Sequence, residues 1–202
     1  MSKIVLSEKE IHNALYFAAL EARNSPDPST TVGAVLMRYE DDGRLIAPQP
    51  KIFAQGYNTF PNGVEGLTYE TESWYSDQGT ISDYREKYGH RLDRPDKYAF
   101  IEHAERNAIF YAARRGEYTN GATMACIWGP CADCARAIIQ SGIRELITLK
   151  HEREHERWNE SLSIAMTMLD EAGVEVTYYE GKILSEQDTH INLLRNGQIW
   201  RP

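Results

Sequence analysis

Apolar positions along this chain alternate between the helical period and the strand period. Ser7-Glu8-Lys9-Glu10 has the form of a capping box. Ile11, Ala14, Leu15, Ala18, Ala19 and Ala22 follow on one face at helical spacing, so the pattern predicts an amphipathic helix that runs to Ala22. Pro26 and Pro28 in the run after Arg23 stop it, because neither ring can continue a helix. Val32 to Met37 reads as a buried strand, Asp41-Asp42-Gly43 as a turn, and Ile52 to Tyr57 as the hairpin partner. Asn58-Thr59-Phe60-Pro61-Asn62-Gly63 is turn chemistry throughout.

Residues 64–97 break this rhythm. They are polar and aromatic, with Tyr69, Trp74, Tyr75, Tyr84 and Tyr88, and too long for a plain loop in a compact domain. An insertion with one short helix around Asp83 to Tyr88 is expected; a lid and a subunit contact are both compatible with it. Beyond it the pattern is regular again. His103 to Arg115 reads as a helix, with Ala104, Ala108, Ile109 and Ala112 on one face. Thr123 to Trp128 reads as a strand, Ala132 to Ser141 as a helix, and Leu146 to Leu149 as a strand. Leu162 to Ala172 reads as a helix, Val174 to Tyr179 as a strand, and residues 185–196 as a terminal helix. Strand, helix, strand, helix, strand in this order means parallel crossovers and a layered α/β fold. The 202 residues suit a single domain, 1–202, carrying an insertion at about 64–97.

Composition narrows the class. A formal net charge of −8 gives no basic footprint for a nucleic-acid duplex, though a local basic pocket for a phosphorylated small molecule is compatible with it. The 3 cysteines cannot build a disulfide framework, and two of them sit at metal-binding spacing, which fits a reducing compartment. The first residues are too charged for a signal peptide, and no apolar run approaches the ~18 residues that a membrane crossing needs. A cytoplasmic protein is expected.

The chemistry concentrates between His103 and Cys134. His103-Ala104-Glu105 opens one helical pattern and Pro130-Cys131-Ala132-Asp133-Cys134 opens the next. One imidazole and two thiolates fill three corners of a zinc tetrahedron and leave the fourth for water, the arrangement of a catalytic site. Glu105 stands close to that water without being needed as a ligand. Cys131 and Cys134 are one helical turn apart, so both sulfurs share a face, and helix N-termini favour thiolates. Alone, Cys-x-x-Cys also suits a redox pair or half of a structural zinc site, and His-x-Glu alone carries no signal. Together and in this order they match a known pattern, the signature of zinc nucleobase deaminases. His151-Glu152-Arg153-Glu154-His155 also matches a zinc-protease string, but it directly follows a strand with no third ligand nearby, and reads as a solvated loop.

With these residues in view, the chain resembles the deoxycytidylate deaminases of the cytidine deaminase superfamily over most of residues 14–180. Ala22 to Ala34 is similar to that family's Arg-Ser-x-Asp-Pro-x-Thr-x-Val-Gly-Ala opening, with Asn24 between Arg23 and Ser25. Gly56 to Gly63 is similar to its Gly-Tyr-Asn-Gly-x-Pro-x-Gly loop, with Thr59 in place of a glycine. Lys97-Tyr98 and the segment from Ala135 to Ile143 also fit, while Trp128-Gly129 replaces the usual Leu followed by Ser or Phe.

The resemblance implies a three-layer α/β/α cytidine deaminase-like fold, a central mixed five-stranded sheet flanked by helices. It implies one catalytic Zn2+ per chain held by His103, Cys131 and Cys134, with Glu105 as the acid–base residue. It further implies substrate contacts from Arg23, Ser25, Asn58 and Ala104, with Asn58 on the sugar or base and Arg23 on a phosphate. The expected reaction is deamination of dCMP to dUMP, in a homo-oligomer, with a hexamer favoured. Regulation by dCTP and dTTP, with Mg2+ accompanying the nucleotide, belongs to the same set of expectations. Other cytosine nucleotides, a base in tRNA or single-stranded DNA, and a zinc-bearing scaffold without turnover are the alternatives. The acidic balance argues against a nucleic-acid substrate, and the presence of Glu105 argues against the scaffold.

Overall fold

The computed structural model describes residues 6–40, 49–66, 86–150 and 156–202. The turn at Asp41-Asp42-Gly43, most of the insertion and the string from His151 to His155 lie outside the described residues. Of the short helix expected around Asp83 to Tyr88, residues 86–88 are described and are helical.

Helix α1 (Glu8–Ala22) begins with the capping box the sequence predicts: the Ser7 N–H donates to Glu10 Oε2 at 2.7 Å, and the Glu10 N–H donates to Ser7 Oγ at 3.3 Å. Its buried face, Ala14, Leu15, Ala18, Ala19 and Ala22, is mostly alanine, which lets the helix lie close on the sheet. The closeness has a cost in sequence. A Cβ on Gly33 would stand 2.1 Å from the Ala18 carbonyl oxygen, so only glycine fits there.

Strands β1 (Gly33–Glu40) and β2 (Gln49–Tyr57) form an antiparallel hairpin. Helices α2 (Lys97–Phe100) and α3 (Ala104–Arg114) follow. Then come β3 (Thr123–Cys126), α4 (Ala132–Gln140), β4 (Glu145–Leu149), α5 (Glu156–Glu171) and β5 (Glu175–Tyr179). The sheet order is β2-β1-β3-β4-β5, with β1 antiparallel to both neighbours and β3, β4 and β5 parallel. Helices α3, α4 and α5 cover one face, over Leu36, Met124, Ile138, Leu146 and Leu169. Helix α1 and the C-terminal segment cover the other, over Leu15, Val35, Ile127, Ile147 and Leu193. This is the expected three-layer mixed α/β fold. On the α3 face Gly56 plays the part that Gly33 plays for α1: a Cβ there would meet Ala108 N at 2.4 Å and Ala104 O at 2.5 Å.

The structure departs from the sequence reading at the end of β3 and at the C-terminus, and adds the short helix α2. β3 ends at Cys126, so Trp128 belongs to the connection that leads to α4. The terminal helix expected over residues 185–196 is absent; the segment instead ends in a hairpin of β6 (Leu193–Arg195) and β7 (Gln198–Trp200). Asn196 and Gly197 form its two-residue turn with φ of 53° and 78°, the conformation that Asn-Gly favours between strands. Ile191 and Leu193, two residues apart and so on one side of an extended chain, are fully buried against the α1 side of the sheet. That burial, together with the turn, overrides the helical pattern.

Candidate active site

Two helix starts meet at one edge of the sheet. Because β1 runs antiparallel to both β2 and β3, Tyr57, Gly33 and Cys126 lie at the same end. The chain leaves β2 there and returns to begin α3 with His103 as N-cap; it leaves β3 there and begins α4 with Cys131 as N-cap. Asn107 pins α3 in place by donating from Nδ2 to the Tyr57 carbonyl at 2.8 Å. The Ala132 N–H at the start of α4 donates to Ser161 Oγ of α5 at 3.0 Å.

His103 Nδ1 lies 3.5 Å from Cys131 Sγ and 3.4 Å from Cys134 Sγ. Zinc bonds of about 2.3 Å to sulfur and about 2.0–2.1 Å to nitrogen, set at a tetrahedral angle, require an N···S separation of about 3.5 Å. The residues present therefore fit the metal. Among the described residues they are the one group of three or more His, Cys, Asp or Glu side chains close enough to share an ion. Cys131 is drawn well below the usual thiol range by the Cys134 thiol that hydrogen-bonds it, and Cys134 is pushed up by the same bond and by burial. Both sulfurs bind metal as thiolates, so zinc binding would release protons from the pair.

Glu105, on the first turn of α3, is 3% exposed. Burial raises its carboxyl above the usual range, with the neighbouring His103 charge opposing. A buried carboxyl that holds its proton more tightly suits proton transfer near neutral pH. Ala104, beside it, is fully buried.

The other expected contacts fall into a second group. Ser25 Oγ donates to the Asn58 carbonyl at 2.9 Å. The Asn58 side chain accepts from the Val32 N–H at 2.7 Å and donates to Asp27 Oδ2 at 3.1 Å and to the Thr30 carbonyl at 2.9 Å. The loop after α1 and the loop after β2 are thus one hydrogen-bonded unit. It reaches the metal corner through Thr59, whose N–H donates to the Glu102 carbonyl at 3.1 Å, one residue before His103. Arg23 is not drawn into this unit. It is the C-cap of α1, half-buried, and its charge is felt at Tyr16 on the same helix.

Sequence reasoning assigned no role to two further residues. Lys97, 5% exposed, pairs with buried Asp27 at 2.7 Å and joins the exit of the insertion to the unit. Arg195 packs on Trp128 beside the metal connection. Neither has a spacing signal, although Lys97 lay within a segment that fitted the family.

Three side chains that fit a zinc ion, with a buried carboxyl beside them at the helix-start edge of a mixed sheet, suit a metal-dependent hydrolase. Comparison with known families narrows this: the cytidine and deoxycytidylate deaminase zinc-binding region matches residues 8–150, and the chain belongs to that family. Deoxycytidylate deaminase of Enterobacteria phage T4 is 32% identical over 182 residues, covering 80% of this chain and 86% of the phage protein. The deoxycytidylate deaminase of Homo sapiens is 32% identical over 162 residues, covering 79% of this chain and 75% of the human one. The solved apo structure of dCMP deaminase from cyanophage S-TIM5 shares the fold, with a TM-score of 0.54 at 21% identity, covering 86% of this chain and 100% of that one. A second structure of the cyanophage enzyme, in complex with dCMP and dUMP, aligns with a TM-score of 0.52 at 23% identity, covering 89% of this chain and 100% of that one.

Proposed function

We propose that this protein deaminates dCMP hydrolytically to dUMP with release of ammonia, feeding thymidylate synthesis. The observation that carries the reading is the metal corner: N···S separations of 3.5 and 3.4 Å that fit zinc, with buried Glu105 two residues from His103. The choice of dCMP is supported by relatives named deoxycytidylate deaminase at 32% identity.

His103, Cys131 and Cys134 would hold zinc, which when bound acts as a Lewis acid and lowers the pKa of a water molecule. Glu105 moves the protons. Its carboxylate accepts a proton as water adds to C4 of the cytosine and delivers it to N3; it then carries the proton of the new C4 hydroxyl to the amine, and the C4–N bond breaks to release ammonia and leave the C4 carbonyl. Burial of Glu105 keeps bulk water from competing for that proton. Ala104 offers the backbone beside it to the base. Asn58, held in place by Asp27 and Thr30, would contact the sugar or the base, with Ser25 beside it. Arg23 is the assigned phosphate cation, since a guanidinium grips phosphate bidentately.

Among the described residues no helix is long and apolar enough to cross a membrane, and a cytoplasmic location agrees with the 3 free cysteines. Phe110 and Tyr111 on α3 are exposed, which supports a closed homo-oligomer, with the hexamer as the favoured form. Regulation by dCTP and dTTP, with Mg2+ carried on the nucleotide, completes the reading. The test is ammonia release across a panel of cytosine nucleosides, mono- and triphosphates, modified dCMP and a single-stranded oligonucleotide. dCMP should give the highest kcat/KM; a preference for any other member overturns the assignment.

A further inference from the structure

The first turn of α3 carries a cation where a helix prefers an acid. Arg106 stands three residues after the N-cap His103, at the helix end whose free N–H groups are already partly positive. Local preference therefore does not account for it. Glu102 fixes its position. Glu102 Oε1 accepts from the His103 N–H at 3.0 Å and pairs with Arg106 Nη2 at 2.5 Å, so one oxygen ties the guanidinium to the backbone of a metal-binding residue. The Glu102 main chain is pinned in turn, exchanging two backbone hydrogen bonds with Thr59 at 3.1 and 2.8 Å.

The Arg106 charge acts on the whole corner: it couples to His103 and to the sulfurs of both Cys131 and Cys134. Such coupling falls off with distance, and the oxygen shared with His103 supplies the nearness. The Arg106 side chain is 26% exposed, and its Nε is buried with no hydrogen-bond partner among the described residues. A dry guanidinium N–H without an acceptor is costly unless an anionic neighbour offsets it. The two cysteines supply that neighbour as thiolates, the state in which they bind metal.

We propose that Arg106 is a positioning residue that acts through the two cysteine ligands: held by Glu102, it draws charge from their sulfurs and keeps a bound zinc ion electron-poor. The inference rests on the zinc reading above. Two thiolates cancel the whole charge of a zinc ion, which leaves it a weaker Lewis acid than imidazoles alone would. A cation beside the sulfurs restores part of that acidity without entering the coordination sphere. Glu102 moderates the effect, because its carboxylate is the counter-charge to the same guanidinium.

The test is metal substitution. Wild type, Arg106→Gln and Glu102→Gln are loaded with Co2+, whose charge-transfer absorption from sulfur reports the charge on the thiolates. Arg106→Gln should move that absorption to longer wavelength, because electron-richer sulfurs give up charge more easily. Glu102→Gln keeps an oxygen for the His103 N–H and removes the counter-charge, so it should move the absorption to shorter wavelength. With zinc bound, kcat of Arg106→Gln should fall roughly ten- to a hundredfold. Arg106→Lys should recover part of it, since lysine restores the charge without the fork. Zinc affinity, measured by competition with a chelator, should hold or rise in Arg106→Gln, because zinc brings at least as much positive charge to the corner as the protons it displaces. An Arg106 that only braces α3 predicts weaker zinc binding and an unmoved cobalt absorption, and either result overturns the inference. Should Arg106→Gln fail to fold, Glu102→Gln decides: a shift to shorter wavelength supports the inference, and no shift or one to longer wavelength overturns it. A wild-type chain that takes up neither Co2+ nor zinc overturns the zinc reading and the inference together. Uptake of both metals with no shift in either variant overturns the inference alone.

Discussion

Asp27 and Lys97 stand 70 residues apart in the chain and meet at 2.7 Å, with side chains only 3% and 7% exposed. The Asp27 carboxylate also accepts from the N–H groups of Ser29 and Thr30 and from Asn58 Nδ2. A buried ion pair so fully hydrogen-bonded is tolerable, but half of one is not. Lys97→Met leaves a buried carboxylate without its cation, which costs about 3–5 kcal/mol. Urea denaturation should show that loss. Adding Asp27→Asn, which keeps an acceptor for the loop N–H groups, should return part of it. A loss under about 1 kcal/mol in the single mutant would mean that the pair contributes little.

The metal corner and Glu105 separate cleanly by substitution. Cys134→Ala removes a ligand, so metal analysis should find zinc lost together with turnover. Glu105→Gln preserves the ligands and removes the proton carrier. It should retain one zinc per chain while kcat falls by about 10²–10⁴. A Gln variant within about threefold of wild type would take Glu105 out of the reaction.

Gly56 links the sheet to the site. A Cβ at this position would press on Ala104 O and Ala108 N of α3, the helix that presents His103 and Glu105. Backbone cannot give way as a flexible side chain would. Gly56→Ala should therefore destabilise the protein by about 1–3 kcal/mol and lower both zinc occupancy and kcat. Normal occupancy and activity in Gly56→Ala would show that α3 can shift without disturbing the corner.

The capping box carries a pH signature. The Glu10 carboxyl is held below its usual range, first by the Ser7 hydroxyl and then by the Ser7 N–H. A depressed carboxyl stabilises the fold above its unfolded pKa, and that contribution is lost as pH falls through the lower folded value. Ser7→Ala should cost about 0.5–2 kcal/mol near neutrality. The gap to wild type should narrow as pH drops below about 4. Urea titrations at several pH values measure it; a gap that widens in acid would reverse the sign.

The parts of this protein that the sequence made legible are those whose chemistry is local. His103, Glu105, Cys131 and Cys134 could be read because metal ligation demands particular residue types at one-turn spacing beside helix starts. The helices and strands of the sheet could be read because each buries one face at a fixed period. What stayed hidden depends on residues far apart in the chain. Nothing near Lys97 announces Asp27, and nothing near Arg195 announces Trp128. The terminal hairpin is different, because its Asn196-Gly197 signal was present. Ile191 and Leu193, two residues apart and so on one side of an extended chain, are buried against the α1 side of the sheet, and that settles the choice. Asn58 could be read as part of a turn; its engagement with Val32, Asp27 and Thr30 follows from tertiary structure alone.

The sheet order bears on how the protein matures. β2 and β3 deliver the two halves of the metal corner, yet β1 lies between them. His103 cannot reach the two sulfurs until the β1–β2 hairpin has paired along β3, a contact between segments distant in the chain and therefore slow to form. A chain caught before that pairing has two cysteines one helical turn apart and no imidazole beside them. Binding of zinc by all three ligands therefore requires the completed sheet, and such binding would stabilise that sheet.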